Sequence, residues 1–208
     1  MKTILIIAML FMCIFLTSCG SQATADETNN AIGGGNMADL TGKKVVMIIA
    51  PENFRDEELL EPKNILENAG AEVTIASKEV QSSKGMLGAE VNVDIDYSAI
   101  DVNKYDAVIF IGGSGASIYF NDEKAHDLAK QAVAQGKLLG AICIAPSTLA
   151  NAGVITGKKA TCFDSEADNL RSKGVNYTGE DVTVDGKIIT AKGPHAAKEF
   201  GNAIAENL

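Results

Sequence analysis

The chain of 208 residues has no tryptophan and only two histidines, and none of its four cysteines stands in a Cys-x-x-Cys pair. A structural or catalytic zinc site therefore lacks an adequate ligand set. Gly113-Ser114-Gly115 carries isoleucine at position 118, where a dinucleotide fingerprint needs its third glycine, and no Gly-Lys-Ser or Gly-Lys-Thr occurs. No metal and no nucleotide cofactor is expected. Lysine and arginine number 18 against 27 acidic residues, and the cations occur only as isolated pairs such as Lys43-Lys44 and Lys158-Lys159. Nucleic acid is excluded as a direct ligand, because phosphate recognition needs clustered cations. With 22% charged and 46% apolar residues, and glycine without a triplet period, the chain is neither disordered nor collagen-like. No internal repeat is visible.

The N-terminus follows its own pattern. Lys2 precedes thirteen consecutive apolar residues, Ile4 to Leu16, a run of about 20 Å as a helix, too short to cross a hydrocarbon core of roughly 30 Å. It reads as a signal peptide. The run ends in Leu16-Thr17-Ser18-Cys19-Gly20, which resembles the bacterial lipobox. That resemblance implies cleavage before Cys19, acylation of its thiol, and an exported protein lipid-anchored at the cell envelope. A buried helix that happens to end in cysteine is the alternative. Residues 20–42, with Gly33-Gly34-Gly35 and no periodic apolar face, read as a flexible tether. Removing residues 1–19 takes away one positive charge, from a net −9 to −10, so the membrane contact should come from the lipid alone.

Residues 43–208 alternate short apolar runs with amphipathic stretches. Val45 to Ala50, Glu72 to Ala76, Ala107 to Ile111 and Leu138 to Ile142 predict strands, mostly continuous apolar runs of the kind buried on both faces of a parallel sheet. Glu57 to Asn68 and Asp122 to Gln135 predict helices. The second places Ala125, Leu128, Ala129, Ala132 and Val133 on one face, with Gly136 as its stop. Pro62 either kinks the first helix or marks its start. Asp185-Gly186 inside Val182 to Ala191 predicts a hairpin, and Pro194 to Asn207 a closing helix. The sum is one α/β domain with a mainly parallel central sheet.

In such sheets the chemistry collects where strands end. Pro51 to Glu58 follows the first strand, Gly112-Gly113-Ser114-Gly115 the third, and Cys143-Ile144-Ala145-Pro146 the fourth. Cys143 falls between an apolar strand and a helix beginning near Ala145, the position of a nucleophile on a strand-to-helix elbow. An inert buried cysteine is the plain alternative. Asp56, Glu57, Glu58 and Glu61 are four carboxylates that spacing does not separate.

Three motifs, Ala50 to Pro62, Ile111-Gly112-Gly113 and Ala141 to Pro146, together resemble the ThiJ/PfpI family, also called the DJ-1 family. The resemblance runs from Lys43 to the C-terminus. It implies a flavodoxin-like sandwich, akin to class I glutamine amidotransferases, in a homodimer or larger homo-oligomer. It also implies catalysis by Cys143 with Glu58 beside it, identified by its position relative to Pro62. Of such a pair one member must hold a proton, so a protonated Glu58 beside a Cys143 thiolate of lowered pKa is expected, with backbone amides near Gly113 and Ile144 as an oxyanion hole.

Two departures matter. Ile144 stands where the peptidase-like members carry histidine, and Cys162 stands where another branch has one. Cys162 is thus either a core cysteine or a resolving partner for Cys143, with the sulfurs expected within about 7 Å. His126 and His195 read as surface residues. The implied activity is that of a cysteine-dependent, cofactor-free enzyme acting on a small aldehyde or oxoaldehyde, of glyoxalase or deglycase type. A PfpI-type peptidase or amidase, and a non-enzymatic redox sensor or stress-protective protein using Cys143 and Cys162, remain the alternatives.

Overall fold

The computed structural model describes residues 38–208. The signal segment, Cys19 and most of the expected tether lie outside them. The final residues of that tether are already folded: Leu40 is buried and its N–H donates to the Ala69 carbonyl at 2.7 Å.

The chain runs β1 (Lys44–Ile48), β2 (Glu52–Phe54), α1 (Asp56–Asn68), β3 (Glu72–Ser77), β4 (Ser82–Gly85), β5 (Glu90–Asn92) and β6 (Ile95–Asp96). It continues through β7 (Ala107–Phe110), α2 (Glu123–Ala134), β8 (Leu138–Ile142), α3 (Pro146–Asn151), β9 (Lys159–Ala160) and α4 (Ala167–Ser172). It ends with β10 (Asn176–Tyr177), β11 (Val182–Asp185), β12 (Ile188–Ala191) and α5 (Ala197–Asn207). Seven strands form the main sheet in the order β11-β12-β8-β7-β1-β3-β6. Every neighbouring pair is parallel except β11 and β12, the hairpin turned by Asp185-Gly186.

Continuous apolar strands arise because both faces of this sheet are covered. Along β1, Val46 and Ile48 pack into the layer formed by α2, α3 and α4, whereas Val45 and Met47 pack into the layer of α1 and α5. Val108 and Phe110 of β7 face the first layer, Ala107 and Ile109 the second. Gly140 in β8 makes room: a Cβ there would lie 2.6 Å from Ile109 Cδ1 and 3.2 Å from Phe200 Cζ.

Several details differ from the expectations drawn from sequence. Val133 is 43% exposed rather than part of the buried face of α2, because it flanks the stripe of Ala125, Leu128, Ala129 and Ala132 instead of lying within it. The closing helix begins as a single 3₁₀ turn, Pro194–Ala196, before α5. No strand is expected from sequence in the first strand exit, yet β2, β4 and β5 form a small sheet of their own. Pro62 is the seventh residue of α1, not its start, so the Glu58 carbonyl loses its helical donor there.

Helices α1 and α5 touch closely at Pro62 because residue 201 is glycine. A Cβ at Gly201 would lie 2.8 Å from both Pro62 Cα and Ile65 Cδ1. Gly201→Ala gains up to about 1 kcal/mol of helix propensity but overpacks a backbone contact, which typically costs about 1–3 kcal/mol. Urea unfolding should therefore show the variant less stable than the parent, by about 1 kcal/mol. A more stable variant would mean the helices separate without cost.

Candidate active site

Three strand exits meet at one point, and backbone contacts fasten them. Past β1 the chain passes Asn53 at φ 60°, and the Arg55 N–H donates to the Gly112 carbonyl at 3.1 Å. Gly113, at φ 94°, admits no side chain: a Cβ there would lie 2.3 Å from Arg55 N and 2.4 Å from Asn53 O. The first exit therefore lies directly on the Gly112-Gly113 turn that follows β7.

Cys143 leaves β8 at φ 65°, a left-handed conformation that L-residues rarely adopt. Such strain persists only where its surroundings enforce it. Here the Cys143 N–H donates to the Ala191 carbonyl at 2.9 Å, and its carbonyl accepts from Phe163 N–H at 2.8 Å. The turn lifts the side chain off the sheet, and α3 starts at Pro146 directly after it. Backbone N–H groups of Gly113 and Ile144 lie close enough to the sulfur to favour its charged form.

Glu58 completes the pair. It lies in the first turn of α1 and is fully buried. Its Oε2 and the Cys143 Cβ crowd the same side of Gly112, each 2.5 Å from where a Cβ would sit. Neither carboxyl oxygen has a hydrogen-bond partner of normal geometry. The other carboxylates, which spacing leaves equivalent, are engaged elsewhere. Asp56 accepts from Leu87 N–H and Ala89 N–H at 2.8 Å each, fixing the β4–β5 turn. Glu57 is held by Arg55 through Nε at 2.7 Å and Nη2 at 3.0 Å, and Glu61 is exposed.

Burial pushes the Glu58 pKa up to about 8, against opposing pulls from the Cys143 thiol and the Arg55 charge. That is the direction expected from the sequence. The expected fall at Cys143 is not found. Burial, and then the Glu58 charge, push this thiol up to about 12, and the Gly113 and Ile144 N–H groups offset only part of that. A sequence shows the neighbours of a cysteine but not how completely water is removed from it, and Cys143 is only 8% exposed. With a proton on Glu58 its repulsion of a thiolate vanishes, leaving burial opposed by the two amides.

The pair closes the floor of a cleft of about 240 Å³. Arg55, Ser114 and Ile144 form its walls, and Met86 and Phe163 are its exposed rim. Sequence reasoning does not single out Arg55, Met86 or Phe163 as cleft residues. Met86 arrives from the β4–β5 turn, a pairing that no local pattern announces. A larger open groove of about 640 Å³ lies beside β6, but its Asp94 and Asp96 already accept backbone N–H bonds from Ile75, Glu79 and Ser98.

Cys162 does not line the cleft. It is fully buried in the layer of α2, α3 and α4, whereas Cys143 packs in the layer of α1 and α5, and both thiols are free. Burial, then the charges of Glu166 and Asp164, push the Cys162 pKa up to about 12. His195 follows Pro194 but is exposed outside the cleft lining and pairs with Asp181 at 2.9 Å. His126, half-buried on α2, contacts the Phe120 carbonyl. Among the described residues no cluster of three metal-ligating side chains occurs, and no helix is long and apolar enough to cross a membrane.

The same three exits are covered by a family match: residues 43–207 correspond to the DJ-1/PfpI family. The chain belongs to the DJ-1/PfpI family. A deglycase of Pyrococcus abyssi is 32% identical over 149 residues, spanning 72% of this chain and 90% of that protein. A glutathione-independent glyoxalase of Caenorhabditis elegans is 28% identical over 166 residues, 80% and 89% of the two chains. The crystal structure of a ThiJ/PfpI domain protein from Brachyspira murdochii superposes with a TM-score of 0.77 at 32% identity, over 79% of this chain and 96% of that one. The flavodoxin-like architecture is thus shared with this DJ-1/PfpI relative.

The Glu58 environment has a thermodynamic consequence for this DJ-1/PfpI domain. With a folded pKa of about 8 against the ordinary 4.5, the native state keeps a proton that the unfolded chain releases within that interval. Stability should fall as pH rises from about 4.5 through 8. Urea unfolding across this range should show the decline in the parent protein and a flatter profile in Glu58→Gln. Equal slopes would place Glu58 outside the titration.

Proposed function

We propose that this DJ-1/PfpI protein is a cysteine-dependent enzyme of glyoxalase or deglycase type that acts on small reactive carbonyls. The observation that carries the reading is the buried Glu58 carboxyl against the Cys143 side chain, beneath two amide donors at the bottom of a narrow cleft. Relatives named deglycase and glutathione-independent glyoxalase support it.

Cys143 rests as a thiol and is ionised in the act of attack. The ionised fraction of Glu58, whose pKa of about 8 is close to working pH, takes the thiol proton as sulfur bonds to the aldehyde carbon. The Gly113 and Ile144 N–H groups hold the developing oxyanion, which takes up the proton to give a hemithioacetal. For a 2-oxoaldehyde, Glu58 then moves the proton from the aldehyde carbon to its neighbour, leaving a thioester. Water cleaves the thioester, returns the thiol and releases a 2-hydroxy acid. Oxoaldehyde plus one water equals hydroxy acid, so no external redox partner is consumed.

Peptide hydrolysis fits less well, because no histidine lines the cleft and Ile144 follows the nucleophile. A Cys143–Cys162 redox exchange draws less support, because the two side chains pack in different clusters and only Cys143 lines the cleft. The Leu16-Thr17-Ser18-Cys19-Gly20 segment supports an envelope location in which acyl chains on Cys19 hold the enzyme at a membrane.

Methylglyoxal incubated with the full chain should yield lactate. Cys143→Ser should lower the rate at least about 100-fold, and Glu58→Gln about 10²–10⁴-fold, the usual contribution of a positioned acid–base group. In the parent protein kcat/KM should rise with pH and level off above about 8 as Glu58 ionises, and Glu58→Gln should lack that rise. Absence of lactate, or full activity in Cys143→Ser, contradicts the proposal.

A further inference from the structure

One charged group in the cleft has no part in the chemistry above. Arg55 precedes α1, its backbone N–H is fixed on Gly112, and its guanidinium is held by Glu57. Glu57 occupies the Nε–H and one N–H of Nη2, which leaves three of the five guanidinium donors, the Nη1 pair among them. None of those three has a hydrogen-bond partner among the described residues. The guanidinium is also close enough to the Glu58 carboxyl to act on its charge. It therefore stands near the reacting sulfur, held by one face with the other face unengaged.

The remaining walls sharpen the contrast. Met86, Ile144, Phe163 and Pro194 are apolar, Ser114 and Ser165 are neutral, and Glu58 holds its proton at neutral pH. Among the described residues, Arg55 is then the one lining residue that carries charge. A neutral oxoaldehyde has no use for it. A planar fork with free donors beside an apolar slot matches a carboxylate.

We propose that Arg55 is a substrate-binding residue that selects aldehydes bearing a carboxylate, docking that group on its Nη1 edge while the carbonyl meets Cys143. This deepens the carbonyl-enzyme reading, on which it rests, and names its substrate class. Glu57 is a positioning residue: by gripping Nε and Nη2 it directs the open edge into the cleft and lowers the freedom lost on binding.

The test uses two alkylating agents of nearly equal size and opposite demand, iodoacetate and iodoacetamide. Each forms a carbon–sulfur bond at Cys143 and expels iodide, so the ratio of their rates reports anion recognition without requiring turnover. Rates are measured on the full chain, and the Cys143 peptide is resolved by mass spectrometry from those of Cys13, Cys19 and Cys162. The ratio of iodoacetate to iodoacetamide rates should fall about 10-fold in Arg55→Gln, with partial recovery in Arg55→Lys, which keeps the charge but not the fork. Using a ratio cancels any general loosening of the site, since that changes both rates together. An unchanged ratio in Arg55→Gln overturns the proposal. If the ratio falls as stated while methylglyoxal yields no lactate, Arg55 recognition stands and the proposed turnover is what fails.

Discussion

Everything in this site follows from a carboxyl group kept out of water. Glu58 is fully buried, without a hydrogen-bond partner of normal geometry, and it abuts the side chain of Cys143. An ionised carboxylate in that position loses its water, and the Cys143 thiol and the Arg55 charge offset only part of that loss, so the group keeps its proton until about pH 8. Such an arrangement costs stability and persists because the fold fixes both partners. Glu58 is locked into the first turn of α1, and Cys143 is pinned at φ 65° by hydrogen bonds to Ala191 and Phe163.

The fold serves this contact at several points. Parallel strands covered on both faces bring three exits to one edge of the sheet, and the glycines at 112 and 113 let those exits touch. Gly201 allows α5 to press on α1 at Pro62, four residues beyond Glu58. Asp56, two residues before Glu58, ties the β4–β5 turn over the cleft through Leu87 and Ala89. One short stretch of α1 therefore supplies the buried carboxyl, the anchor for the rim and the seat of the neighbouring helix.

Much of this is legible in the order of the amino acids. Strands that are apolar on both faces identify themselves by continuous runs, and most of β1 and all of β7 and β8 lie within the expected spans. Cys143 stands out because a cysteine between an apolar strand and a Pro-initiated helix has one local geometry. Glu58 does not stand out by spacing. Family resemblance alone separates it from Asp56, Glu57 and Glu61, and the structure then sorts the four by what each one touches. The β2-β4-β5 sheet escapes a linear reading because Ser82 to Gly85 has no apolar alternation and pairs with a strand far back in the chain. Arg55, Met86 and Phe163 converge only in three dimensions. The direction of the Cys143 shift is hidden for the same reason, since burial is a property of the packed molecule.

The most direct test of this account is an infrared titration of the Glu58 carboxyl, isolated as the difference between the parent protein and Glu58→Gln. The account predicts a protonated carboxylic acid band at about pH 6 that persists through neutrality and gives way to carboxylate near pH 8. A Glu58 already ionised at about pH 6 would contradict it.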